Sequence, residues 1–159
     1  MSNIMKIKKL TKGFTLLEVM IALVISAVSL LGLASLQAQS LTFNNSAYIR
    51  SQATYFAYDV LEKMRMNKNE ALAGSYDLAI ADTPNPATCY GTGSTCSTSD
   101  FAAADKYEWH QLLTSTLPGG DGSVSRATGT GQTIVTVIVQ WTNLNNSSLT
   151  SKIQVMGEL

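Results

Sequence analysis

The stretch KGFTLLEVMIAL, Lys12 to Leu23, sets the organisation of the whole chain. It opens an apolar run from Phe14 to Leu36 whose single charge is Glu18, and no further charge follows until Arg50. A helix of that run would be about 35 Å long, enough for a hydrocarbon core of about 30 Å. A carboxylate inside it is unfavourable, by about 2.5–3.5 kcal/mol at the centre of a membrane helix and less near its end. The run therefore reads as a membrane segment with a glutamate that needs a reason.

Working outward, four of the 11 basic residues, Lys6, Lys8, Lys9 and Lys12, precede the apolar run. By the positive-inside rule they put the N-terminus in the cytoplasm and everything beyond about residue 40 across the membrane. Of the 159 residues 45% are hydrophobic and only 14% charged, so one domain of ordinary size is expected. The formal net charge of zero hides an asymmetry. Without residues 1–13, seven basic side chains face 11 acidic ones, a charge of 7 − 11 = −4. That sign argues against nucleic acid as a partner, because such binding needs clustered positive charge.

Three accounts of the N-terminus compete. A cleaved secretory signal has an apolar region of about 7–15 residues followed by a small-residue site. This run is longer, and Leu36–Ala38 matches such a site weakly. A plain anchor explains the length and the lysines but leaves Glu18 without a role. The third account takes KGFTLLE as a unit. It resembles the class III signal of type IV pilins and pseudopilins, which a membrane-embedded aspartyl peptidase cuts after the glycine, leaving the apolar segment in the mature protein.

The resemblance implies that Gly13 precedes the cut and that Phe14 becomes the N-methylated first residue, with Glu18 the fifth. It also implies that Glu18 pairs with the Phe14 amine of a neighbouring subunit and sets its register during assembly. An α-ammonium near an apolar phase is costly unpaired, and Glu18 lies one helical turn away. The true start is Met1 or Met5, since MKIKKLTKGF is itself a complete basic leader.

Beyond Leu36 the chain turns polar with no glycine between Gly32 and Gly74 and no proline before Pro84. Ile49, Ala53, Phe56, Val60 and Met64 recur at steps of three and four, predicting one helix from about Phe14 to near Asn67, roughly 80 Å long. Ala22, Ser26 and Ser29 share a side of its apolar half. Small residues there permit close helix packing, and they are equally common in any membrane helix. Many major pilins have a helix-breaking proline in this segment; here there is none.

From Gly74 to Ser99 the composition predicts a loop. It contains CYGTGSTC, in which Cys89 and Cys96 are expected to form a disulfide in an oxidising compartment, contributing about 2–3 kcal/mol. Six intervening residues and no paired histidines fit no zinc pattern, and no cofactor is expected. Ser99 and Asp100 can cap a helix running to about Leu117, with Ala102, Trp109, Leu112, Leu113 and Leu117 as its apolar stripe. Trp109 reads as core. His110, with no partner in sight, reads as a surface residue. GGDGS around Asp121 is a turn signal, and one acid there makes no calcium loop.

QTIVTVIVQWT alternates, with Val135, Val137, Val139 and Trp141 on one face, and SKIQVMGEL alternates through Ile153 and Val155. SVSRA is a candidate third strand and NLNNSS a loop. The Asn-x-Ser matches at Asn44, Asn145 and Asn146 carry little weight. The fold class expected is α+β and pilin-like, a long N-terminal helix packed on a small antiparallel sheet. Its divisions are a leader over 1–13, a transmembrane half-helix over 14–36, an amphipathic periplasmic half over 37–70 and a head over 71–159.

The order of cysteine loop, KYEWHQLL, LPGGDGSV and β-rich end is similar to the minor pilins called type IV pilus modification proteins, the PilV-like group. The resemblance implies a non-enzymatic subunit in the inner membrane, single-pass, with a periplasmic head that later joins the pilus, near its tip. Implied partners are a prepilin peptidase/methyltransferase, other minor pilins, the major pilin, the inner-membrane assembly platform and, before assembly, membrane lipid. Two rival functions are a minor pseudopilin of a type II secretion system and a membrane-anchored periplasmic enzyme. For the second, the chain shows no convergent acids, bases or nucleophiles.

Overall fold

The computed structural model describes residues 13–87, 89, 95–129, 132–143 and 146–159. The leader lysines 6, 8, 9 and 12, the alternative starts Met1 and Met5, most of the loop between the cysteines, and Asn145 lie outside them. The elements follow in the order α1 (Leu16–Met66), α2 (Lys68–Ala73), α3 (Thr98–Thr116), β1 (Asp121–Thr128), β2 (Thr133–Asn143) and β3 (Asn146–Glu158). This is an α+β layout with a long N-terminal helix and a three-stranded antiparallel sheet, as the sequence predicts. The chain divides into two compact units, Met1–Phe43 and Asn44–Leu159, and α1 contributes to both.

The first unit is the N-terminal part of α1. Every residue described in it, from Gly13 to Phe43, is exposed in the single chain. Its helix is long and apolar enough to cross a membrane. Apolar exposure on this scale is foreign to a water-facing surface and needs lipid or other helices around it.

In the second unit α1 changes to a one-faced helix. Ile49, Ala53, Phe56, Val60 and Met64 are buried, joined by Ala57 and Leu61. The sheet order is β1-β2-β3. Val135, Val137, Val139 and Trp141 of β2 turn their common face to the core, while Ile153 and Val155 of β3 are partly buried against it. A two-residue period on the central strand and a 3.6-residue period on the helix thus meet in one apolar layer.

Two glycines set how closely the layers approach. A Cβ on Gly122 of β1 would lie 2.5 Å from the Trp109 ring and 2.8 Å from Leu113, both on α3. A Cβ on Gly157 of β3 would meet Leu61 at 2.6 Å. Trp109 fills the space beside Gly122, fully buried, and its indole N–H donates to the Phe56 carbonyl of α1 at 2.9 Å. This bond satisfies a donor that burial would otherwise leave costly.

Several expectations are corrected. The sequence gives no separate signal for α2, a six-residue helix closed by Gly74 in the left-handed region at φ 95°. The cap of α3 is Ser97 rather than Ser99 or Asp100; Asp100 completes a reciprocal capping box from the N3 position. Leu112 is exposed rather than part of the buried stripe. His110 is buried, not at the surface. Its Nε2 lies 3.8 Å from an Asp121 carboxylate oxygen, and among the described residues its Nδ1 has no hydrogen-bond partner. Asp121 opens β1, and its other oxygen accepts the Ala81 N–H at 2.8 Å.

Candidate functional site

The N-terminal segment is built from the chemistry of a helix start. Gly13, Phe14 and Thr15 precede the first helical residue, Leu16. The first backbone N–H groups of a helix lack internal acceptors, and Thr15 supplies one. Glu18 N–H donates to the Thr15 hydroxyl at 3.3 Å and to its carbonyl at 3.1 Å. The sequence TLLE carries the Thr-x-x-Glu signature of a capping box, a local signal for a helix start at Thr15.

Only half of that box forms. The Thr15 side chain caps the Glu18 N–H, but the Glu18 carboxylate has no hydrogen-bond or ion-pair partner among the described residues. It is an exposed anion on the first turn of an apolar helix, where the helix dipole favours negative charge. Phe14, Glu18, Val19, Ala22, Leu23 and Ser26 line a shallow groove along one side of this segment. The site therefore presents one acceptor of positive charge, set in an apolar groove with small residues at positions 22 and 26.

The second feature singled out in the sequence lies in the other unit. Cys89 and Cys96 are disulfide-bonded, with their Cα atoms 6.0 Å apart. Cys96 directly precedes Ser97, the cap of α3, so the bridge fastens the loop immediately before that helix. At the cap the Ser97 backbone N–H donates to Asp100 at 2.9 Å and the Ser97 hydroxyl accepts the Asp100 N–H at 3.2 Å. Hydrogen bonds from the Ser97 side chain and backbone hold the Asp100 carboxyl below the ordinary aspartate value of 3.8.

Among the described residues, no three His, Cys, Asp or Glu side chains gather as a metal site. A charged cluster does gather between α1 and α3. Lys63 lies 2.8 Å from Glu108 and 3.8 Å from both Asp59 and Asp105. Burial works against its charge, but the Glu108 hydrogen bond and the three carboxylates outweigh this and raise its pKa. Asp105 also accepts the hydroxyl of the fully buried Tyr76 at 2.8 Å. Periodicity did not reveal this cluster, because its members come from two helices 42 or more residues apart in the chain.

Residues 8–34 match a family described as the prokaryotic N-terminal methylation motif. The match contains Gly13, Phe14, Thr15, Glu18 and most of the apolar run, and it covers this N-terminal segment alone. That motif is the signal recognised by prepilin peptidase. Comparison with curated proteins and with solved structures finds no match.

Proposed function

We propose that the chain is a minor pilin, a structural subunit that helps to prime type IV pilus assembly and ends near the filament tip. Prepilin peptidase removes residues 1–13 by cutting between Gly13 and Phe14, and the same enzyme methylates the new Phe14 amine. The segment 14–36 spans the inner membrane with the leader in the cytoplasm, and residues 71–159 form a periplasmic head. Other minor pilins, the major pilin and the assembly platform are its partners.

One observation carries this reading: among the described residues the Glu18 carboxylate has no partner, on the first turn of an apolar helix, within a methylation-motif match. A charge held in an apolar phase needs a counter-charge. Methylation keeps the Phe14 amine positive, and a neighbour's amine placed beside Glu18 would neutralise both groups. Moving the helix from lipid to a bundle of like helices exchanges one apolar environment for another, so the transfer itself need not oppose assembly. The order of elements in the head favours a pilus subunit over a secretion pseudopilin, whose N-terminal chemistry is the same.

Mass spectrometry of the N-terminal peptide from the native host tests the processing step. The expected peptide begins at singly methylated Phe14. A mature chain that retains residues 1–13 would overturn the proposal and restore the plain membrane anchor.

A further inference from the structure

An open groove lies between α1 and α3 in the second unit, of a size that suits a docked segment. Its two walls are helix faces. Tyr55, Asp59, Lys63 and Met66 follow one another on α1 at steps of four, four and three; Phe101, Asp105, Glu108 and Leu112 do so on α3 at four, three and four. The helices run antiparallel here, since Asn67 bonds the Thr98 carbonyl, Lys63 bonds Glu108, and Trp109 bonds Phe56.

That pairing sorts the lining residues by chemistry. Met66 and Phe101 stand toward one end, and Tyr55 and Leu112 toward the other. They are 82%, 41%, 65% and 36% exposed respectively. Between them sits Lys63 with its three carboxylates, an excess of two negative charges. Single exposed apolar residues are ordinary on a surface; four of them at the ends of one concavity are not.

We propose that this groove is a docking site for a cationic amphipathic helix of another protein, with apolar anchors about three turns apart and an arginine or lysine between them. The spacing follows from the groove: Tyr55 to Met66 covers about 16 Å of helix. The charge follows from the cluster, whose negative excess calls for a positive side chain. A second copy of the same face would bring two negative clusters together, so symmetric self-association is disfavoured. An anionic lipid surface is disfavoured for the same reason. The mode is helix-in-groove recognition, with aromatic anchors as the principal contacts. It does not depend on the assignment to a pilus.

The test is an NMR titration of the full-length chain in lipid nanodiscs with a designed helical peptide. The peptide carries leucines three turns apart and two arginines between them; its control has glutamates in place of the arginines. The arginine peptide is expected to shift resonances around Phe101, Glu108 and Tyr55 saturably, and the glutamate peptide to leave them unmoved. Glu108→Gln should weaken binding about threefold or more, and Phe101→Ala about tenfold, while Leu149→Ala, exposed on β3, leaves it unchanged. Equal binding of both peptides, shifts spread outside the groove, or no shift at millimolar peptide would each overturn the proposal. Retained sheet resonances in each variant separate lost docking from lost folding.

Discussion

At the scale of single residues, Glu18 and Gly122 show two ways in which one position constrains the molecule. Glu18 is held by its backbone, and among the described residues its carboxylate has no partner. Removing one partner from a buried ion pair typically costs about 3–5 kcal/mol, because the other charge is stranded. Glu18→Ala should therefore leave membrane insertion and leader cleavage intact while lowering incorporation into filaments about tenfold or more. Cleavage assays and filament fractionation check the two halves separately, and normal incorporation would remove the assembly role given to Glu18. Gly122 acts by absence. A methyl group there collides with Trp109 and Leu113, so Gly122→Ala should cost about 1–3 kcal/mol and lower the melting temperature of the head by several degrees. An unchanged melt would show that the α3–β1 contact has slack. Much of this was legible in the residues: a lone carboxylate in an apolar run stands out against its surroundings. His110 was not legible, since its burial depends on where α3 meets the start of β1, which local sequence does not encode.

Among the elements, α3 is the one whose placement depends most on polar detail. Its N-terminus is fixed by the Ser97–Asp100 box and, one residue earlier, by the Cys89–Cys96 bridge. The Asp100 carboxyl titrates below its ordinary value. Its contribution is therefore complete above that value and is lost as the pH falls through the depressed one. Amide protection in the first turn of α3, taken relative to the intrinsic exchange rate at each pH, should weaken as the pH falls below the ordinary aspartate value of 3.8, with less change in its last turn. Uniform exchange along the helix would contradict the capping account. Removing the bridge with Cys89→Ser should destabilise the head by about 2–3 kcal/mol, read as faster proteolysis of the loop before α3. Unchanged protease resistance would leave the bridge no stapling role. The amphipathic face of α1 was readable because 3.6-residue periodicity survives any tertiary context. The cap of α3 lies two or three positions before the expected one because Ser97, Ser99 and Asp100 all have capping chemistry, and only backbone geometry chooses among them. The helix α2 escaped notice because six residues are too few to show a period.

For the whole molecule, the fold class followed from two patterns: one long glycine- and proline-free stretch, and a β-rich end with alternating valines. The arrangement of α3 against α1 did not follow, and with it the charged groove stayed hidden, because which helix faces meet is decided by side-chain packing across the chain. The account rests most on the claim that this chain leaves the membrane and becomes part of a filament. Quantitative mass spectrometry of surface filaments sheared from the native host, with and without the major pilin, tests that claim most directly. The chain should appear in the sheared fraction, beginning at methylated Phe14, and vanish from it when the major pilin is absent. Retention with the cells in both strains, despite a processed Phe14 terminus, would contradict the pilus assignment and favour a secretion pseudopilus.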